Sequence, residues 1–370
     1  MDLPDFALER WFARFEFTVR WNLCASDIEP VGLAELLGLA DDEGRALWED
    51  LALGYTESAG HPLLRAEIAG LYDGLEAEDV LVCAGAEEAI FLLAGAVAGP
   101  GDGAVCVLPA YQSLHEVARA GGAEVATLGL EPGGGWSLDL DRLRALVGPR
   151  TRLVAVNAPN NPTGWLPPAD DFAEIVRIAD EAGATLLSDE VYRLLEHDPA
   201  ERLPPAATLS ERAVSLGVMS KAYGLAGLRI GWIATRDRAL LHRVAARKDW
   251  TSICSSAPSE ILALIGLRAG DALLGRSRAI VAGNLPIMAG FADAHRDDID
   301  WTPPRGGTVA FPRLLREPDV EGFARRLAAE HGVLILPGTA FGDDEGRFRV
   351  GMGRRDMAAG LDRLAAALSA

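Results

Sequence analysis

Lys221 follows Ser220 directly at the end of the apolar run Ala213–Met219. A lysine leaving a buried strand is unusual, because desolvation disfavours the ammonium form and leaves a nucleophilic amine. Such an amine suits a Schiff base with an aldehyde cofactor. The plain alternative is an exposed loop lysine. Arg229 comes eight residues later, in Gly227-Leu228-Arg229-Ile230-Gly231-Trp232. An arginine between glycines at the entry to an apolar strand is placed to grip a phosphate bidentately. A structural ion pair would explain Arg229 alone, but not its spacing from Lys221.

Four other groups add to this pair. Asp189 and Tyr192 stand in Ser188-Asp189-Glu190-Val191-Tyr192, where an apolar strand ends. A carboxylate there is placed to pair with the protonated ring nitrogen of pyridoxal phosphate (PLP), and the tyrosine to reach the ring's phenolic oxygen. A strand-end turn with a solvated acid is the bland reading. Pro159-Asn160-Asn161-Pro162-Thr163-Gly164 is a turn that presents a fixed Asn161 amide at the sheet edge. In Ala84-Gly85-Ala86-Glu87-Glu88 a strand meets a helix, and free N–H groups at the helix start suit an anion, although many helices begin this way. Tyr111 follows another strand and offers a face for a flat ring, although core packing would also account for it.

Short apolar runs carry these groups. Val80–Cys83, Ala104–Leu108, Val125–Leu128, Leu153–Asn157, Thr185–Ser188, Ala213–Val218 and Ile230–Ala234 read as strands, and Glu87–Val97 and Asp170–Ala182 as helices between them. The alternation predicts an α/β layer fold with a mostly parallel sheet, which binds ligands at its carboxyl edge. Arg243–Arg296 reads as mostly helical, with a break near Ser255–Pro258. Beyond it, a helix over Val320–His331, short runs at Val333–Leu336 and Phe348–Met352, and a helix over Met357–Leu368 suggest a small α+β domain. The expected division is 1–35 as an N-terminal segment near the small domain, 36–270 as the large domain and 271–370 as the small one.

The 370 residues carry a net charge of −19, which opposes nucleic acid and anionic membrane surfaces. Cys24, Cys83, Cys106 and Cys254 are scattered, so neither a disulfide framework nor a metal site is expected. No apolar run approaches the roughly 20 residues that span a bilayer, and Met1–Trp21 has no signal-peptide core, so a cytoplasmic location is expected.

In this order and spacing the motifs resemble the class I/II aminotransferases, PLP enzymes of the aspartate-aminotransferase fold (fold type I). The match runs from about Tyr55 to Arg349. The resemblance implies a seven-stranded, mostly parallel sheet between helices, with a smaller α+β domain. It implies that Lys221 carries the cofactor and shuttles the substrate Cα proton, and that Asp189 pairs with the pyridine nitrogen. Asn161 and Tyr192 would bind the ring oxygen and Tyr111 would stack on the ring. Arg229 with the backbone at Ala86 and Glu87 would hold the phosphate. Arg349, in Arg347-Phe348-Arg349-Val350-Gly351, would fork onto the substrate α-carboxylate. Tyr55, in Gly54-Tyr55, would reach the neighbouring subunit's phosphate, implying a homodimer with shared active sites. One departure is Val218, where the family usually has Ser or Thr on the phosphate; Ser220 is the candidate to replace it.

The resemblance implies an aminotransferase acting on an α-amino acid. The stretch Leu8-Glu9-Arg10-Trp11-Phe12-Ala13 is also similar to that of guanidino amino acid cyclases of the capreomycidine-synthase-like branch. Those keep the cofactor loaded and eliminate, replace or cyclise at Cβ or Cγ, and the same chemistry extends to S-adenosylmethionine-like substrates in natural-product biosynthesis. Glu9, Glu16 and Asp27 would then face a cationic side chain; otherwise they are solvated acids on an amphipathic helix. The third reading is an inactive regulator, which the missing DNA-binding segment and the intact Lys221 oppose. The substrate pocket is expected to draw on the N-terminal segment, the Tyr111 region, Lys248–Ser256 with Lys248 and Trp250, and the neighbouring subunit.

Overall fold

A computed structural model describes residues 2–369. Seven strands form one sheet: β1 (Val80–Cys83), β2 (Gly103–Leu108), β3 (Glu124–Gly129), β4 (Thr151–Asn157), β5 (Thr185–Asp189), β6 (Ala213–Val218) and β7 (Gly231–Ala234). Their spatial order is β1-β7-β6-β5-β4-β2-β3. Only β7 runs against its neighbours, pairing Gly231 with Cys83 on one side and with Val218 on the other. Every residue of β6 is buried. A strand covered on both faces must be apolar throughout, which is how Ala213–Val218 reads in the sequence.

Helices cover both faces. Gly85–Val97, Ser113–Ala120 and Arg238–Lys248 pack on one side, around Ile90, Leu93, Val117 and Val244. Ala169–Glu181 packs on the other through Phe172, Ile175 and Ile178. The helical stretch expected at 243–296 consists of Arg238–Lys248, Ala257–Arg268 and Gly270–Ala294, interrupted by a loop that includes Ser255.

The remaining strands are short. Val309–Ala310, Phe348–Gly351 and Leu336–Pro337 form a three-stranded antiparallel sheet. The run expected at Val333–Leu336 is two strands rather than one. Val333–Leu334 pairs in parallel with Trp21–Asn22, while Leu336 turns to pair with Arg349. The N-terminal helix Ala7–Phe15 buries Leu8 and Trp11 in the cluster formed by Leu334, Ile335, Leu336 and Phe348. Trp11 Nε1 donates to the Ile335 carbonyl at 3.1 Å. Among the described residues, no helix is long and apolar enough to cross a membrane.

Candidate active site

Six of the seven strands present the candidate groups at one edge of the sheet. The parallel strands β2, β4, β5 and β6 end there, and so does β1, while the reversed β7 begins there. Tyr111 therefore follows β2, Asn161 follows β4, Asp189 ends β5, Ser220 and Lys221 follow β6, the Gly85–Val97 helix follows β1, and Arg229 precedes β7. Apart from Gly85, these groups line one cavity of about 390 Å³: Tyr111, Asn161, Asp189, Ser220, Lys221 and Arg229, with Ala86, Glu87 and Tyr192. That volume suits a cofactor-sized molecule with a small substrate.

Two glycines shape one end of it. A Cβ on Gly85, which sits at φ +86°, would lie 2.6 Å from Arg229 Nη2. A Cβ on Gly231 would lie 2.7 Å from the Ala86 nitrogen. Glycine at both positions brings the helix N-terminus and the guanidinium together, as an anion site requires. Arg229 adopts a left-handed backbone, φ 52°. Val218 lines the same cavity and has no polar atom for a phosphate. Ser220 lies beside it and supplies a hydroxyl.

Asp189 lines the cavity at the end of β5. Asn157 anchors its backbone, donating through Nδ2 to the Asp189 carbonyl at 2.9 Å. Asp189 Oδ1 accepts the Val191 N–H at 3.2 Å. Burial pushes its carboxyl up to about 7, with the Val191 hydrogen bond and the Lys221 charge pulling the other way. A protonated pyridine nitrogen is the partner this half-satisfied acid lacks.

Lys221 and Tyr192 meet a segment that the sequence motifs did not point to. Lys221 Nζ donates to Ser26 Oγ at 2.8 Å. The Tyr192 hydroxyl donates to the Ser26 carbonyl at 3.0 Å, and Thr308 Oγ1 donates to the same carbonyl at 2.7 Å. The neighbouring Cys24 carbonyl accepts Nε and Nη2 of Arg349 at 3.1 and 2.7 Å, while Arg349 Nη1 donates to Asn161 Oδ1 at 3.0 Å. These three bonds leave two of the five guanidinium N–H donors unused, enough to fork onto a carboxylate. Arg349 is fully buried behind Asn161 and is not itself part of the cavity lining.

Glu9, Glu16 and Asp27 all line the cavity. Glu9 Oε1 accepts the Tyr111 hydroxyl at 3.0 Å, which closes the N-terminal helix over the opening. Burial and the nearby Asp27 and Glu9 charges raise the Glu16 carboxyl above its usual range. Asp27 is partly committed to Arg354, at 3.0 Å. Glu87 is pushed up to about 7 by burial, and its Oε2 finds no hydrogen-bond partner.

Two expectations need correction. Lys248 does not line the cavity: it is fully buried, and its Nζ donates to the Ser58 carbonyl at 2.6 Å. Trp250 is 90% exposed and lies outside this cavity. Both sit at the end of the Arg238–Lys248 helix, whose buried residues pack on a face of the sheet. Tyr55 is 90% exposed and lines a separate cavity of about 400 Å³ with Leu51, His61 and Glu260. No group of residues suited to hold a metal ion exists among the described residues.

Ser26 lies in Asn22-Leu23-Cys24-Ala25-Ser26-Asp27, which has no periodicity to mark it. A simpler signal was available for Lys221. Only two of the 35 basic residues are lysines, and the other is Lys248.

Comparison with known proteins agrees with this geometry. The family model described as aminotransferase class I and II matches residues 40–368. Capreomycidine synthase of Streptomyces vinaceus is 33% identical over 350 residues, covering 94% of this chain and 89% of that protein. A PLP-dependent aminotransferase from Streptococcus suis superposes with a TM-score of 0.93 at 30% identity, covering 100% of this chain and 98% of the other. The PLP-dependent cyclase OrfR superposes with a TM-score of 0.91 at 32% identity, with the same coverage.

Proposed function

The chain belongs to the class I and II aminotransferases, enzymes of the PLP fold type I, and from that premise we propose that it transfers the amino group of an α-amino acid whose side chain is cationic. The carrying observation is the excess of carboxylates in one cavity. Glu9, Glu16, Asp27 and Glu87 line it together with Lys221 and Arg229. The two cations are assigned to the cofactor and Asp27 is shared with Arg354, which leaves Glu9, Glu16 and Glu87 to face a positive group on the substrate.

Bound in this cavity, PLP supplies an aldehyde for covalent capture of the amine and a ring that withdraws electrons from the substrate Cα. The chain's own groups do the rest. Lys221 Nζ holds the cofactor and then moves the Cα proton. Asp189 would face the ring nitrogen, Asn161 and Tyr192 the ring oxygen, and Tyr111 the ring face. Arg229, Ser220 and the N–H groups of Ala86 and Glu87 hold the phosphate. Arg349, steered by Asn161, takes the α-carboxylate, and Glu9 takes the distal cation.

A second reading keeps the cofactor loaded and cyclises, eliminates or replaces on a guanidino or S-adenosylmethionine-like substrate. It is favoured by the likeness to capreomycidine synthase and OrfR across nearly the whole chain and by the Glu9 helix over the cavity. Absorbance and mass spectrometry with arginine, hydroxyarginine, glutamate, aromatic amino acids and S-adenosylmethionine separate the readings. Loss of the visible band with a keto acid formed supports transfer. A product that keeps its amino group, with the band restored after turnover, supports the second. Glutamate as the preferred donor would overturn the cationic pocket. Glu9→Gln is expected to raise KM for the cationic substrate by about 10-fold, as loss of a charge-assisted contact implies, with kcat changing little. An unchanged KM would remove Glu9 from substrate binding.

We also propose a homodimer with shared sites in the cytoplasm. Leu53, Tyr55 and Trp250 are 86%, 90% and 90% exposed. Thr56 and Ser58 bond the carbonyls of Ser255 and Ile253, which ties this patch together. An exposed apolar surface of this kind suits a second copy. Cys24, Cys83, Cys106 and Cys254 are unpaired thiols, which suits a reducing compartment. Trp250→Asp is expected to yield monomers in sedimentation and to weaken cofactor binding about 10-fold or more, through loss of the partner's Tyr55. Monomers with unchanged cofactor affinity would contradict the shared site.

A further inference from the structure

We propose that Ser26 is a positioning residue for Lys221: its hydroxyl receives the lysine amine whenever that amine is not covalently engaged, and holds it in one orientation for proton transfer. This rests on Lys221 being the cofactor-bearing lysine. Nζ lies 2.8 Å from Ser26 Oγ. A neutral amine has two N–H donors and one lone pair. With one N–H given to Ser26, the side chain is held in one rotamer and the lone pair is confined to the two positions on Nζ turned away from Ser26. The amine takes the Cα proton on that lone pair, becomes an ammonium, and later returns the same proton to the substrate or cofactor carbon. Ser26 gains and loses no proton in this sequence.

The hydroxyl is itself well placed. The Ser26 carbonyl accepts both the Tyr192 and Thr308 hydroxyls. Two residues earlier the Cys24 carbonyl holds Arg349. Leu23 is locked on both sides, its N–H to the Leu334 carbonyl at 2.9 Å and its carbonyl to the Gly351 N–H. The segment is thus stitched to the small sheet, yet its one hydroxyl reaches the lysine at the edge of the large sheet. It ties the amine that moves the proton to the guanidinium assigned to the α-carboxylate. Anchored contacts of this kind set proton-transfer geometry.

With only two lysines, the chain offers a direct test. Cofactor-free protein grown with ε-13C-lysine should show two side-chain signals by NMR, assigned by loss of one in Lys221→Ala. In the native protein the two Hε protons of Lys221 are expected to be inequivalent, as for a fixed rotamer. In Ser26→Ala and Ser26→Cys they should merge, and in Ser26→Thr they should stay distinct. Lys248, held by the Ser58 carbonyl, is the internal control. In loaded enzyme, Ser26→Ala should lower kcat about 10- to 100-fold, leave KM within about 2-fold, and raise the isotope effect for α-deuterated substrate; Ser26→Thr should restore all three. Should Ser26→Ala fold poorly, Ser26→Cys, of similar size and a weak acceptor, carries the test. Equivalent Hε protons in the native protein, or an unchanged kcat and isotope effect in folded Ser26→Ala and Ser26→Cys, would overturn the proposal. Failure of Lys221 to carry the cofactor would instead appear as a borohydride-stable adduct elsewhere, and would sink the assignment of Lys221 itself.

Discussion

Lys221→Ala is expected to abolish turnover and to remove the yellow colour of the purified protein. Two losses combine. The covalent hold on the cofactor goes, and so does the group that moves the Cα proton, whose removal alone lowers rates by up to about 10⁴-fold. Nothing nearby can substitute. Lys248 is buried against the Ser58 carbonyl and lies outside the cavity, and Arg229 offers a guanidinium rather than an amine. The check is borohydride reduction followed by peptide mass spectrometry. The native protein should carry the adduct on Lys221, and the variant should carry none. An adduct on Lys248, or turnover within 10-fold of native, would defeat the assignment. The fold should survive, because Lys221 is half-buried and its one bond is to Ser26.

Asp189→Asn is expected to lower kcat by on the order of 10²- to 10³-fold, the usual result of removing a fixed charge from a developing one. An amide cannot keep the ring nitrogen protonated, so electron withdrawal from Cα weakens. Cofactor should still bind, since Lys221, Arg229 and the helix N-terminus are untouched. The same residue predicts a pH effect with a definite sign. Burial pushes the Asp189 carboxyl up to about 7, against an ordinary value near 4. The fold therefore favours the neutral acid. In the cofactor-free protein this contribution is complete below about pH 4 and is lost as the pH rises through about 7. Glu87 and Glu260, also pushed up to about 7, act in the same direction. Thermal melts of cofactor-free native protein and Asp189→Asn should differ in slope across that window, with the variant the flatter. Loading with PLP should flatten the native curve, because the ring nitrogen then supplies the missing cation. Parallel melting curves would remove Asp189 from this role.

Most of the cavity lining was legible because its groups sit at strand ends. Each motif closes a buried run, as Asp189 closes β5 and Lys221 follows β6, and parallel topology sends such ends to one edge. Order and spacing along the chain therefore carried three-dimensional information. The substrate side was less legible. Lys248 and Trp250 are expected in the pocket from the sequence, but Lys248 is buried against the Ser58 carbonyl and Trp250 is exposed, both outside the cavity. The single run expected at Val333–Leu336 proved to be two strands, since Val333–Leu334 takes a parallel partner from residues 21–22 and Leu336 an antiparallel one from Arg349.

The sequence by itself determined the fold class, the family and the identities of Lys221, Asp189, Tyr192, Asn161 and Arg229, because local pattern and fixed spacing encode them. It also supplied Glu9, Glu16 and Asp27, though not whether solvent or the cavity would claim them. Only the tertiary structure decided that they face the cavity, that Asp27 is shared with Arg354, and that Ser26 touches the lysine. Those contacts join residues up to 327 positions apart. They depend on how the N-terminal segment threads between two sheets, and no pattern within the segment itself records that path.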